Sequence, residues 1–270
     1  MKKLIFLALS VLINFLAFSQ EINIFHEPKQ NGYIIYGSNK ELYPVSVTLD
    51  FNLTNLKFSE IGNRIFVIPP KSDKWKLGEL SVEDPSNKYK FSSKFKSAMG
   101  DLTLKNTNES VEYELPFAKG NSFKVNQGYN GSFSHQNENS LDFTMPEGTE
   151  ILAARGGMIV EIVQNNTESC PKEECKKYNN RIIIMHDDGT FASYVHIKYN
   201  SSKVNLGDKV KSGDAIAYSG NVGWTNGPHL HFSCFTGGFD KWKTLPTKFK
   251  IDKGESSFML KEGETYMRGY

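Results

Sequence analysis

The sequence predicts an all-β protein: an N-terminal β-sandwich-like domain followed by an antiparallel β-sheet domain with a groove across one face. Two observations predict it. Apolar and polar residues alternate with a period of two over short runs, the spacing of half-buried strands, and Gly, Pro, Asn and Asp break those runs every few residues. No run carries the 3.6-residue period of a long amphipathic helix. At 270 residues, with 39% hydrophobic residues, the chain is long enough for two domains. A disulfide miniprotein, a collagen and a disordered chain are excluded by the same figures.

Residues 1–19 differ from the rest. Lys2 and Lys3 precede an apolar run over 4–18, which ends at Ala17-Phe18-Ser19 before Gln20. This is the pattern of a secretory signal peptide cleaved after Ser19. Ser10 and Asn14 interrupt the run, and a membrane span needs about 20 apolar residues, so stable membrane insertion of the mature chain is not expected. No cysteine follows the run to take a lipid.

Residues 20–115 read as the sandwich. Val45, Val47, Leu49, Phe51 and Leu53 alternate with Ser46, Thr48, Asp50, Asn52 and Thr54. Shorter runs lie at 64–68, 77–82, 89–95 and 111–115. One histidine, His26, stands here without ionisable neighbours, so a structural or targeting module is expected. From about Pro116 glycine becomes frequent and the other five histidines appear. Strands are expected at 150–154, 158–164, 181–186, 191–197, 215–219 and 230–235, with hairpin turns at Arg155-Gly156-Gly157 and Asp187-Asp188-Gly189. Residues 116–240 form this second unit, and 241–270 return as an edge strand or tail.

Thirty-two Lys and Arg stand against 30 Asp and Glu. Removing Lys2 and Lys3 leaves zero formal charge, and a polyanion-binding protein carries a basic surplus. Nucleic acid is therefore not an expected partner. Export implies an oxidising compartment, in which Cys170 and Cys175 close a short disulfide loop. A metal clip is disfavoured because neither has a second Cys or His pair at zinc-finger spacing. Cys234 is left over.

The chemistry-bearing residues emerge from strand parity. In Pro228-His229-Leu230-His231-Phe232 the two imidazoles project from one face, while Leu230, Phe232 and Cys234 project from the other. Asp142 lies opposite Leu141 and Phe143, and Tyr194 and His196 lie opposite Phe191, Val195 and Ile197. His135 precedes Asp142 in a loop able to fold back towards it. Two imidazoles and a carboxylate form a ligand set for zinc with an open fourth position.

In order, these residues resemble the lysostaphin and LytM type zinc metalloendopeptidases. The motifs are His135, Asp142, Pro146-Glu147-Gly148-Thr149, Ala153-Ala154-Arg155-Gly156-Gly157, Tyr194-Val195-His196, Gly207-Asp208-Lys209-Val210-Lys211-Ser212-Gly213 and Gly227-Pro228-His229-Leu230-His231-Phe232. The resemblance runs from about Pro116 to Phe235. It implies a lysostaphin-type catalytic domain, zinc held by His135, Asp142 and His231, and proton handling by His196 and His229. The implied substrates are the peptide cross-links of bacterial peptidoglycan, met in the wall or periplasm after export. The family spacing is His-x-x-x-Asp, whereas six residues intervene here, a departure that bears on the loop path rather than on the ligands. Residues 170–177 look like an insertion.

Other readings stand beside this one. His186, before a turn, and His26 are expected to be structural, and Cys234 a buried thiol. Tyr194, together with Asn221, Trp224 and Thr225 in the glycine-rich loop before His229, is a candidate for contacting substrate. A non-catalytic regulator of another wall hydrolase would lack metal ligands, and none is missing. A biotinyl-like or lipoyl-like swinging arm would need a lysine at a hairpin tip, where Arg155-Gly156-Gly157 stands. A further expectation is that the N-terminal module covers the groove until displaced.

Overall fold

The structure is a computed structural model describing residues 21–60, 64–105 and 111–270. The expected signal peptide lies outside the described residues. The N-terminal region is built from two antiparallel sheets. One runs in the order Ile22–Lys29, Gly32–Asn39, Ser72–Val82, Leu56–Phe58, and the other in the order Phe66–Ile68, Val45–Thr54, Lys90–Met99. Ile35, Leu56, Leu77 and Leu80 of the first pack with Val45, Val47 and Ile68 of the second. Each sheet thus buries one face against the other, as an alternating pattern requires.

The second region is organised by a nine-stranded sheet. Its main path runs Lys209–Val210, Gly157–Val163, Arg181–Met185, Phe191–Val195, His229–Thr236, Ser140–Thr144, Ser122–Gln127 and Thr265–Met267, with Lys243–Leu245 added alongside His229–Thr236. On the back face Leu141, Phe143, Ile182, Ile184, Tyr194, Leu230, Phe232 and Cys234 form the main core. That core is closed by Ile151, Ile216 and Ala217 from a two-stranded layer and by Tyr113 and Phe249 from a third small sheet.

The front face is divided. Register pairs Val195 with His231 and His231 with Asp142 at one end, and Phe191 with Phe235 at the other. At the apolar end Val160, Ile183, Phe191 and Phe235 join the N-terminal module's core, packing with Tyr43, Val45 and Val47. The module therefore sits on the same sheet face as the histidines, beside them. The described residues lining the groove over the histidines all fall between Asn126 and Glu262. Among the described residues the expected cover is not formed: the module's buried apolar residues pack on the far half of the face.

Two turns fare differently. Asp187-Asp188-Gly189 does join antiparallel neighbours, with Met185 opposite Phe191 and Gly189 at φ +80°. Arg155-Gly156-Gly157 is not a hairpin. Glu150–Leu152 pairs with Ala215–Tyr218, while Gly157–Val163 pairs with Arg181–Met185, so the chain crosses between layers there. The glycines are needed for close approach, because a Cβ on Gly157 would lie 2.3 Å from the Met185 carbonyl oxygen. The tip geometry a swinging arm needs is absent from that segment. The chain's last stretch supplies the edge strand Thr265–Met267, and also puts Phe249 into the core and buries Arg268 against the carbonyls of Leu115 and Phe117.

Candidate metal centre

Asp142 and His231 face each other directly across two paired strands. His135 reaches them from the loop before Asp142, which is curled by hydrogen bonds from Glu138 N to the His135 carbonyl and from Asn130 N to the Glu138 carbonyl. The six-residue spacing is taken up in this turn, with Asn137 at φ +59°.

The three ligand atoms form a tight triangle. His135 Nε2 lies 3.2 Å from His231 Nδ1 and 3.3 Å from Asp142 Oδ1, and His231 Nδ1 lies 2.9 Å from Asp142 Oδ1. A tetrahedral ion ~2.0–2.1 Å from each ligand would separate them by ~3.3–3.4 Å, close to what is observed. The donor set therefore fits a mononuclear metal ion.

The surroundings orient those donors. His135, fully buried, donates its Nδ1 hydrogen to the Gly128 carbonyl at 3.0 Å, which leaves Nε2 bare for a metal. Gln127 Nε2 donates to Asp142 Oδ2 at 3.0 Å, leaving Oδ1 to face the imidazoles. Gln127 Oε1 also accepts from the backbone of Phe133 and Ser134, tying the loop of His135 to the strand. Burial alone would raise the pKa of Asp142, but the His135 and His231 imidazoles beside its carboxylate hold it well below the ordinary value.

His196 and His229 stand beside the triangle with ring centroids 4.5 Å apart. His196 Nδ1 donates to the Val222 carbonyl at 2.7 Å and His229 Nδ1 to the Gly227 carbonyl at 2.8 Å. A carbonyl can only accept, so each neutral ring keeps Nε2 as its acceptor. Burial, helped by His229 and His231, pushes the pKa of His196 down to about 3, and burial lowers that of His229. Both shifts favour the neutral imidazole.

The remaining candidates separate. Tyr194 is not at the groove: it is fully buried in the back-face core, where its hydroxyl accepts from Ala154 N at 2.7 Å. Parity put Tyr194 and His196 on one face, but the strand ends at Val195 and His196 adopts φ +65°. That left-handed residue turns the imidazole onto the front face while Tyr194 stays behind. Trp224 and Thr225 line the groove, and Asn221 stands behind them, bonded to Thr225 Oγ1 at 2.9 Å. Thr225 Oγ1 also lies 3.3 Å from His229 Nδ1, so it buttresses that ring.

The Cys170–Cys175 disulfide forms. Its segment pairs in parallel with Gly223–Trp224, and Asn179 Oδ1 accepts from Trp224 N at 2.9 Å, fixing the loop before His229. His186 and Cys234 are buried and structural. Sequence reasoning missed Gln127, whose only signal is a buried place two residues after Val125 in the same strand.

Fold and site together define a β-sheet domain with a candidate mononuclear metal centre in an open groove. Residues 136–241, under half of the chain, match the model of Peptidase family M23. His135 falls one residue before the matched segment. An uncharacterized metalloprotease from Buchnera aphidicola subsp. Baizongia pistaciae is 37% identical over 92 residues, covering 34% of this chain and 21% of that protein. Glycyl-glycine endopeptidase ALE-1 from Staphylococcus capitis is 33% identical over 124 residues, covering 44% and 31%. Peptidoglycan DD-endopeptidase ShyA from Vibrio cholerae is 31% identical over 100 residues, covering 37% and 20%. The chain thus spans between a fifth and a third of the length of these relatives.

Proposed function

We propose that the protein is an exported zinc metalloendopeptidase hydrolysing peptide cross-links of bacterial peptidoglycan. The observation that carries this is the triangle of His135, Asp142 and His231 with the imidazoles of His196 and His229 beside it. Similarity to a glycyl-glycine endopeptidase and a DD-endopeptidase supports the substrate class. Residues 1–19 support export, and no helix among the described residues is long and apolar enough to cross a membrane.

Zinc bound there would act as a Lewis acid, polarising the peptide carbonyl and making water nucleophilic at neutral pH. The protein's own groups do the rest. Gln127 and the Gly128 carbonyl hold two ligands in orientation, so little reorganisation accompanies the reaction. The acceptor Nε2 of His196 or His229 takes the proton from attacking water. The resulting imidazolium can stabilise charge on the carbonyl oxygen and return the proton to the leaving amine. The groove holds about 910 Å³, room for several residues of extended peptide.

The test is digestion of purified sacculi of several cross-link types with and without a chelator, followed by mass spectrometry of the released peptides. Chelator-sensitive release of cross-link fragments from one type is expected, and identifies the bond. No release from any type would overturn the reading.

A further inference from the structure

We propose that Trp242 is a remote substrate platform at the far end of the groove, held in place by an aromatic stack that begins in the N-terminal module; this rests on the endopeptidase reading above. Trp242 lines the same groove as the histidines and is 41% exposed, although its ring is firmly placed. It lies flat on Phe235, with centroids 4.1 Å apart and planes at 10°. Phe235 is fully buried and stacks in turn on Phe191 at 5.4 Å and 20°. The edge of the next ring, Tyr43 of the N-terminal module, meets Phe191 at 6.0 Å and 85°.

A ring pinned on one face and open on the other can receive a flat partner with little further loss of freedom. The location sets what that partner is. Phe235 is four residues from His231 on the same strand and the same face, so the platform lies ~13 Å along the strand at ~3.3 Å per residue. An extended peptide with its reacting carbonyl over the metal centre spans that distance in about four residues. Trp242 therefore takes a group with a flat C–H face, carried about four residues from the scissile bond. A peptide residue and a sugar ring attached to the peptide both have that chemistry. Tyr43 is on this account a positioning residue, which connects the module to substrate selection without touching substrate.

The experiment uses the full zinc-loaded chain and three uniform cross-linked fragments. One ends two residues from the scissile bond on each side, one extends four or more, and one extends as far and carries its sugar. Trp242→Ala is expected to lower kcat/KM roughly tenfold on a long fragment, through KM, and to leave the short fragment unchanged. Trp242→Phe retains most of the activity, and Tyr43→Ala shows a smaller KM effect on the same fragments. Loss only with the sugar-bearing fragment assigns the platform to the sugar, and loss with both long fragments assigns it to the peptide. Equal losses on short and long fragments, or no loss on either long one, would overturn the proposal. Should the unaltered protein cleave none of the three, the endopeptidase reading falls. Calorimetric binding of the long fragments to the same variants then decides the platform, with unchanged affinity in Trp242→Ala counting against it.

Discussion

The two ends of one sheet face have opposite fates. At one end Asp142, His231 and Val195 stand in register under an open groove. Four residues along, Phe191 and Phe235 stand in the same register with the same parity, fully buried among the N-terminal module's core residues, with Trp242 stacked on Phe235. Strand geometry treats both ends alike, and what separates them is the second layer. Where a layer covers the face, apolar side chains form a joint between modules. Where none does, polar side chains can converge and remain reachable. The module thus contributes to the site by occupying the adjoining half of the sheet.

Changes at the open end should act on chemistry. Replacing His196 or His229 by Ala, each alone, is expected to lower turnover by about a hundredfold to a thousandfold while metal content stays unchanged. Turnover within a few-fold of the parent in both variants would break the assignment of proton handling to this pair.

At the covered end the effect should be on stability. Phe235→Ala removes a fully buried ring that bridges both modules, and a cost of about 3–5 kcal/mol is expected in denaturant unfolding. A cost under about 1 kcal/mol would show that the module is only loosely seated.

The back of the sheet sharpens the contrast through pH. His186 is buried, with Nδ1 on the Gly156 carbonyl, and burial pushes its pKa down to about 4. The unfolded chain, near ~6.5, takes up the proton first as pH falls. Stability from this residue is therefore full above pH ~6.5, declines as pH falls towards ~4, and is flat below. The decline amounts to about 3 kcal/mol, and unfolding of His186→Gln across that window should show a correspondingly shallower pH dependence. Identical slopes would contradict the burial argument.

The smallest effect concerns the loop before His229. Replacing Cys170 and Cys175 by Ser should cost about 2 kcal/mol, as expected for so short a closed loop. It should also raise KM by freeing the contacts to Gly223 and Trp224. An unchanged KM would show that Asn179 suffices to hold that loop.

Much of the site was legible because strand parity is strict. His229, His231 and Asp142 were placed on one face by counting alone, and the structure puts them there. Counting failed at Tyr194 and His196 because one left-handed residue reverses the count, and a histidine does not announce that conformation as a glycine would. The crossing at Gly156 and Gly157 looked like a hairpin because glycine serves both tight turns and close approach. Strands Ile22–Lys29 and Gly32–Asn39 went unread because in Tyr33, Ile34, Ile35 and Tyr36 apolar residues are contiguous, hiding the period. Gln127 escaped notice because an amide carries no chemistry until its hydrogen bonds are known.

On the proposed function, His135, Asp142 and His231 together grip one metal ion. The direct measurement is zinc content and affinity of the folded full chain beside Asp142→Asn and His231→Ala, with folding checked by circular dichroism. One equivalent of zinc in the parent, with affinity reduced at least a hundredfold in both variants, is the predicted result. A folded parent that binds no zinc, or variants that hold it as tightly, would contradict the account.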